Sequence, residues 1–308
     1  MYILDTTSNE FWWVQTVRDK KYTSRRQFIS TTAGSMAGLA LGIRPSIGQT
    51  TNSNALDPGS MAIGGTSAMA ELNSYPNPFL NSSVTDVIRV PTCSMMVGPC
   101  HDDLAPERED ISEGKGGMPM RLGFRVVDDQ YRPVGDANID VWHCDASGIY
   151  SSETADTPDF CTGDNLEALA SRFFRGHQMT DQNGIVWFNT CMPGWYRPRA
   201  VHVHTTIRRS NRQGQEYLTT QFAYPSEFLQ ELFDKHPDYS PYGQPPTSNE
   251  DDFVFDTDTI DDFTFNLERM SDGVLMAWMT IMIRSSLGDR LCEIEQGTPP
   301  RGQGPRPF

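Results

Sequence analysis

Basic side chains are scarce outside the N-terminal region of this 308-residue sequence. The formal net charge is −15. Residues 1–50 carry six Lys or Arg against three Asp or Glu, which leaves a net charge of −18 for the rest of the chain. Nucleic acids and anionic membrane surfaces are both bound through basic patches. We therefore expect neither nucleic acid nor a membrane to be a partner of the mature protein.

Two further patterns are missing. No two of the six cysteines stand in a CxxC pair, which disfavours a structural zinc site. The cysteines are Cys93, Cys100, Cys144, Cys161, Cys191 and Cys292. The mildly apolar run at 29–43 is too short to span a bilayer, which takes about 20 apolar residues.

The N-terminal region resembles an export signal. Arg25 and Arg26 precede that run of small and apolar residues, as in twin-arginine (Tat) signals, which export folded proteins. The alternative is a chance pair of arginines before a helix of small residues. Export predicts a periplasmic or extracellular protein with one to three disulfides. Cys93 and Cys100 are close enough in sequence to close a small loop, whereas buried free thiols suit the remaining cysteines equally well.

From residue 120 the pattern is typical of β-structure, with short alternating runs separated by turns every eight to twelve residues. The predicted strands are residues 120–127, 137–142, 173–180, 185–190, 201–208, 217–224, 253–256, 263–267 and 274–283. A hairpin turn is predicted at 181–184, where Asn183 precedes Gly184, and a short helix at 226–235. The sequence therefore predicts an all-β protein, a sandwich or a barrel.

We divide the chain into four parts. Residues 1–50 form the Tat-type signal region, 51–90 a linker or extended arm, 91–292 one β-domain, and 293–308 a disordered tail. The linker is rich in Ser, Asn, Gly, Pro and Thr without a sustained period, and the tail is rich in Gly and Pro. Nothing in these patterns decides between a monomer and a homo-oligomer.

The densest group of chemically useful side chains lies at 194–204. His202 and His204 are two residues apart, so a strand would present both imidazoles on one face. That arrangement suits a metal ion. Taken alone, the pair suits a half-buried strand with two surface histidines just as well.

Three segments together resemble the intradiol ring-cleavage dioxygenases, the non-haem ferric enzymes that open catechol and protocatechuate. They are residues 142–151 (WHCDASGIYS), 174–184 (FRGHQMTDQNG) and 193–204 (PGWYRPRAVHVH). The resemblance runs from about residue 108 to 283. It is closest to the exported, single-chain branch, in which a tyrosine stands six residues before the first histidine. It implies the β-sandwich of the intradiol dioxygenase catalytic domain for residues 91–292.

The resemblance also implies an Fe(III) site and its ligands. These would be Tyr150, Tyr196, His202 and His204. Fe(III) is a hard cation that favours anionic oxygen, and a bound cation lowers the pKa of a coordinated phenol from its usual value near 10. Two phenolates and two neutral imidazoles would leave a position open for substrate. His143 and His177 are interpreted as structural neighbours of the site.

The implied reaction inserts O2 between the two hydroxylated carbons of a catechol and gives a cis,cis-muconate-type diacid. In this reaction Tyr196 would leave the metal and accept a proton. Arg199 would stabilise carbanion-like charge in the ring, and Gln221 would position the ring by hydrogen bonding. The partners would be a small aromatic diol and O2, as in the catabolism of aromatic compounds.

Two alternatives use the same strands. A transthyretin-like or carbohydrate-binding β-sandwich without catalysis would leave the tyrosine and histidine set unexplained. A copper or zinc enzyme that uses His202, His204 and a third histidine would leave both tyrosines idle. Two departures from the family pattern bear on specificity. They are the segment 97–101 (VGPCH), where an aromatic pair is usual, and Cys191-Met192 before Pro193.

Overall fold

The structure is a computed structural model that describes residues 60–297 except residues 81 and 212; the side chains of Asn73 and Asp86 are also not described. These residues belong to one compact unit, Ser53–Phe308. The predicted signal region 1–50, the first part of the predicted arm and most of the predicted tail lie outside the described residues.

Strands dominate the described chain, as predicted, and form two four-stranded sheets. The strands are β1 (Pro119–Asp128), β2 (Ala137–Trp142), β3 (Arg175–Met179), β4 (Ile185–Cys191), β5 (His202–Arg209), β6 (Glu216–Ala223), β7 (Asn266–Arg269) and β8 (Leu275–Ile283). One sheet has the order β4-β1-β8-β7 and the other β3-β2-β5-β6. All neighbours are antiparallel except β1 and β8, which run parallel.

The two sheets share one hydrophobic core. Apolar side chains alternate along β1 and along β5, and all of these lie in the core cluster. Phe124 of β1 contacts Phe222 of β6 across the gap between the sheets, with ring centroids 5.9 Å apart. Phe265, from the loop before β7, completes this aromatic group, 6.0 Å from Phe124 and 5.4 Å from Phe222. Burial of such large apolar surfaces is the main stabilising contribution to a fold of this kind.

Residues 60–90 pack along the first sheet as short turns of helix. They comprise 3₁₀ turns at Gly65–Ala68, Leu72–Ser74 and Pro78–Leu80, followed by the helix α1 (Val84–Val87). The ring of Phe79 lies 5.3 Å from the guanidinium of Arg125, which donates a hydrogen bond to the carbonyl of Phe79. This contact explains why Arg125, on the outer face of β1, is buried.

Three more helices occur in the loops. They are α2 (Pro158–Thr162), α3 (Leu166–Leu169) and α4 (Ser226–Lys235). The bounds of α4 agree with the prediction, and the helix buries Leu229, Leu232 and Phe233 on one face. Among the described residues, no helix is long and apolar enough to cross a membrane.

Two local predictions are wrong. The turn at 181–184 does not close a hairpin, because β3 pairs with β2 in one sheet and β4 pairs with β1 in the other. Turn chemistry specifies a chain reversal but not the strand partner on each side. Residues 253–256 are not a strand, because the Asp252 carboxylate takes the backbone N–H of Val254 and bends the chain there.

The predicted pairing of Cys93 with Cys100 is also wrong. Cys93 is bonded to Cys292, and Cys100 is bonded to Cys161. These partners are 199 and 61 residues apart in sequence, so only the tertiary fold brings them together. Cys144 and Cys191 are buried free thiols. Beyond Cys292 the described residues of the predicted tail remain bonded to the domain, through the backbone of Ile294 to Ser94 and of Gly297 to Phe253.

Candidate metal centre

The site forms where the start of β5 meets two loops. His202 and His204 are the first and third residues of β5, and both are buried. The β-sheet register places His204 between Trp142 on β2 and Gln221 on β6. Residues paired across neighbouring strands share one face, so the alternation read from the sequence places the imidazoles as expected.

The two tyrosine-bearing loops meet through close contact of their backbones. Gly148 has a φ of 85°, and a Cβ atom there would lie 2.3 Å from the carbonyl oxygen of Trp195. On the other loop, the N–H of Gly194 donates to the carbonyl of Asp145 at 2.9 Å. A side chain at residue 148 would push the loops apart. This approach brings Tyr150 and Tyr196 to the end of β5.

The polar atoms of the four predicted ligands converge. Around Nε2 of His202 lie Nε2 of His204 at 3.0 Å, the hydroxyl of Tyr196 at 3.2 Å and the hydroxyl of Tyr150 at 3.4 Å. The two hydroxyls are 3.5 Å apart. Ligands bound at about 2.0–2.1 Å to one metal ion are about 2.9 Å apart at right angles and about 3.3 Å apart in a tetrahedron. The observed spacings match that range.

The hydrogen bonding at this point is better satisfied by a cation than by the protein alone. The Nδ1 of His202 lies 2.6 Å from the carbonyl of Ala200. Because a carbonyl only accepts, Nδ1 carries the proton and Nε2 presents its single lone pair to the centre. That lone pair is faced by four potential donors, Nη1 of Arg199 at 3.5 Å included, where one would satisfy it. The arrangement of two phenols and two imidazoles therefore fits a metal ion.

The rings are held by contacts outside the centre. The imidazole of His204 stacks on the indole of Trp142, with centroids 4.8 Å apart and planes 9° apart. Its Nδ1 is buried and has no hydrogen-bond partner among the described residues. Tyr150 is buried, and its backbone N–H donates to the carbonyl of Cys161 at 2.9 Å. Tyr196 is partly exposed.

Burial sets the electrostatics of all four side chains. Burial raises the pKa of Tyr196 to about 12, an effect that the nearby Arg199 partly offsets. Burial and the neighbouring Tyr196 raise the pKa of Tyr150 well above its usual value. Burial, followed by the charge of Arg199, lowers the pKa of His202, and burial and His202 lower the pKa of His204. The imidazoles are thus neutral, as metal ligands must be, and a hard cation would favour ionised phenols.

Arg199 and Gln221 lie beside this group, as predicted. The Nη1 of Arg199 is 3.5 Å from Nε2 of His202, and its Nη2 donates to Oε1 of Gln221 at 2.6 Å. Sequence reasoning missed Asp252, whose carboxylate accepts from Nε of Arg199 at 2.9 and 3.1 Å. Asp252 is 53 positions from Arg199 in a loop of many acidic residues, and nothing in the sequence distinguishes it from them.

Other metal arrangements find less support in the described part of the chain. His143 lies 2.8 Å from the hydroxyl of Thr190 and 2.8 Å from the carbonyl of Cys144, so both ring nitrogens are engaged away from the centre. His177 bonds to the side chain of Asn138. Between residues 60 and 297, as far as they are described, no three His, Cys, Asp or Glu side chains are grouped to hold a metal ion.

Comparison with known proteins shows similarity to dioxygenases. Residues 90–230 match the family model described as Dioxygenase. A hydroxyquinol 1,2-dioxygenase from Corynebacterium glutamicum is 34% identical over 96 residues, which are 30% of this chain and 28% of that protein. A hydroxyquinol 1,2-dioxygenase from Rhizobium sp. is 32% identical over 107 residues, 33% of this chain and 32% of that protein. The chain thus matches less than a third of the length of these curated relatives.

Solved structures agree on the fold. An intradiol ring-cleavage dioxygenase from Tetranychus urticae has a TM-score of 0.55 at 24% identity and covers 63% of this chain and 95% of its own. A second dioxygenase crystal structure has a TM-score of 0.56 at 26% identity and covers 66% of this chain and 98% of its own.

The described domain is similar to the intradiol ring-cleavage dioxygenases.

The region that matches the Dioxygenase model contains the whole convergent group. The four candidate ligands, Arg199 and Gln221 all lie within residues 90–230. Asp252 lies beyond that region, as do β7 and β8. Segment 97–101, where the chain departs from the usual family pattern, lies against the imidazole of His204. A Cβ atom at Gly98 would lie 3.0 Å from Cε1 of His204, and Cys100 is bonded to Cys161.

Proposed function

We propose that this protein is an Fe(III)-dependent intradiol dioxygenase built on the β-sandwich of that family. It breaks the bond between the two hydroxylated carbons of a catechol, adds one atom of O2 to each carbon, and yields a cis,cis-muconate-type diacid. The observation that carries the proposal is the convergence of two phenol oxygens and two imidazole nitrogens within 3.0–3.5 Å at a buried point.

Tyr150, Tyr196, His202 and His204 would hold the ferric ion. When bound, the ion supplies a Lewis acid and a template that brings the aromatic diol and oxygen together. Hydrogen bonding from Nδ1 of His202 to Ala200 keeps Nε2 directed at that position, as partners outside a metal site generally do for their histidines. Stacking on Trp142 does the same for His204.

The two tyrosines would have different roles because their environments differ. Tyr150 is buried, and its backbone is bonded to the carbonyl of Cys161, so it would remain on the metal. Tyr196 is partly exposed and is therefore the phenol that can exchange its place for the substrate. Its oxygen would accept a proton from a catechol hydroxyl as the diol binds. Arg199 would stabilise negative charge that develops in the bound ring.

The substrate class is a catechol-type aromatic diol, and the role is aromatic catabolism. The curated relatives named above are hydroxyquinol 1,2-dioxygenases, so hydroxyquinol belongs in the substrate panel beside catechol and protocatechuate.

We also propose export through the twin-arginine signal to the periplasm or the extracellular space. The support is the pair of disulfides in the domain, since such bonds persist in oxidising compartments. Replacing Arg25 and Arg26 by lysines should retain the protein in the cytoplasm, as measured by cell fractionation. Unchanged export would rule out the twin-arginine route.

One experiment tests the enzymatic proposal. Purified protein reconstituted with iron should absorb visible light through tyrosinate-to-Fe(III) charge transfer, and the band should shift on addition of catechol without oxygen. Oxygen should then convert the diol to the ring-opened diacid. Tyr196→Phe should alter the band and lose most activity, whereas Tyr131→Phe, at an exposed tyrosine, should change neither. A colourless iron-replete protein that opens no diol of the panel would refute the proposal.

A further inference from the structure

The Asp252 carboxylate contacts the proposed catalytic arginine at a buried position. The side chain of Asp252 is 0% exposed and that of Arg199 is 5% exposed. Both carboxylate oxygens accept from Nε of Arg199, at 2.9 and 3.1 Å. Charge-assisted hydrogen bonds of this kind fix the orientation of the guanidinium and also add stability. Removing one partner of such a buried pair is destabilising, because it leaves the other charge uncompensated.

The rest of the guanidinium is also held. Its Nη2 donates to Oε1 of Gln221 at 2.6 Å, and Nε2 of Gln221 donates to the carbonyl of Met96 at 2.8 Å. The ring centroids of Phe253 and Phe255 lie 5.4 and 5.9 Å from the guanidinium carbon. Only Nη1 remains directed at the metal centre, 3.5 Å from Nε2 of His202.

Asp252 also joins the two chain segments that meet here. One oxygen accepts from the backbone N–H of Ala200 at 2.6 Å, just before β5, and the other accepts from the N–H of Val254 at 2.8 Å. The carboxylate therefore sets the position of the loop 252–255 against the segment that carries Arg199.

We propose that Asp252 is a positioning residue that fixes the guanidinium of Arg199 so that only its Nη1 edge faces the bound aromatic ring. The inference rests on the proposed function. Gln221 contacts the same guanidinium, since its Oε1 accepts from Arg199 while its Nε2 donates to the carbonyl of Met96. Donors aimed beforehand at developing charge contribute most when they need not reorganise.

The test compares two substitutions of matched chemistry. Asp252→Asn removes the charge that holds Arg199 and keeps the shape of the side chain. Asp128→Asn is the control, because Asp128 likewise accepts two backbone N–H groups, from Gln130 and Arg132, and the Nε of an arginine, Arg132. Asp128 ends β1 in the other sheet.

We expect Asp252→Asn to lower kcat about 10- to 100-fold with KM within about threefold of wild type, since the loss falls on charge that develops during the reaction. Asp128→Asn should leave kcat and KM unchanged. The Nε–H resonance of Arg199 should exchange faster with water in Asp252→Asn than in wild type. Equal kcat values for the two variants, or an unchanged Arg199 resonance, would overturn the inference.

Failure of the proposed function and failure of the positioning role give different results. A wild-type protein that is colourless with iron and opens no diol refutes the proposed function, whereas an active wild type with an equally active Asp252→Asn refutes the positioning role alone. If Asp252→Asn does not fold, Asp252→Glu decides, because it keeps the charge but moves the carboxylate away from its place at Nε of Arg199. It should lower kcat about two- to fivefold, and an unchanged kcat would overturn the inference.

Discussion

The Nε2 atoms of His202 and His204 lie 3.0 Å apart, and that of His202 also faces the hydroxyls of Tyr196 and Tyr150. Two side chains at i and i+2 on a strand can meet in this way only when their rings turn toward one another. Here the carbonyl of Ala200 orients one ring and the indole of Trp142 orients the other.

Loss of a candidate ligand should remove the metal. His204→Ala should lower the iron content of purified protein from about one to less than about 0.1 per chain, because three donors remain where four converge. Metal analysis by mass spectrometry measures this. His177→Asn is the control, since His177 bonds to Asn138 and lies outside the convergent group. Full iron loading of His204→Ala would show that this imidazole is not a ligand.

The close approach of the two tyrosine-bearing loops should depend on Gly148. In Gly148→Ala the new Cβ atom meets the carbonyl of Trp195 at 2.3 Å, so backbone must shift. We expect a destabilisation of about 1–3 kcal/mol and weaker iron binding, measured by urea unfolding and iron titration. Gly114→Ala is the matched control, because Gly114 has a similar φ of 75° but nothing within 4 Å of its Cβ position. Iron binding that weakens equally in both would point to backbone strain and not to the loop contact.

The two disulfides should differ in what they control. Each should contribute about 2–5 kcal/mol, and the Cys93–Cys292 bond should contribute about 1 kcal/mol more, because it closes a loop of 199 residues against 61. Iron affinity should follow the opposite order. The Cys100–Cys161 bond joins the segment beside His204 to the carbonyl that holds Tyr150.

Serine pairs at each bridge test this difference. Replacing Cys100 and Cys161 should weaken iron binding more than replacing Cys93 and Cys292. It should nevertheless lower the free energy of unfolding by a smaller amount. Denaturant unfolding and iron titration on the two variants supply both quantities. The same order in both measurements would contradict the assignment.

Asp102 should stabilise the fold in a defined pH range. Burial acts to raise its pKa, but hydrogen bonds from Ser152, the N–H of Leu104 and Thr154 outweigh it and lower the pKa below 3.8. A carboxyl whose pKa is lower in the folded state stabilises the protein above the unfolded pKa, near 4. That contribution is lost as the pH falls through the folded value.

Wild-type protein should therefore lose stability below about pH 4 more steeply than Asp102→Asn. Thermal unfolding at pH values between about 2 and 7 gives the slope of stability against pH for each protein. Asp103→Asn, at a side chain that is 88% exposed, is the control and should follow wild type. Parallel curves for wild type and Asp102→Asn would contradict the role assigned to the Asp102 hydrogen bonds.

Local patterns predicted much of the fold. The bounds of α4 and the alternation of β1 and β5 agree with the structure. These features depend on residues close in sequence, where backbone geometry links spacing to direction. The turn at 181–184 shows the limit, since a reversal of the chain is compatible with strands in one sheet or in two.

The sequence by itself determined the β-class of the domain, the face shared by His202 and His204, and the set of side chains that resembles a ferric site. Only the tertiary structure decided which cysteines are bonded, that Gly148 lets the Tyr150 and Tyr196 loops touch, and that Asp252 holds Arg199. The physical reason is range. Dihedral preferences and side-chain alternation act over a few residues, whereas partners 46, 53, 61 and 199 positions apart meet only when the whole core has packed.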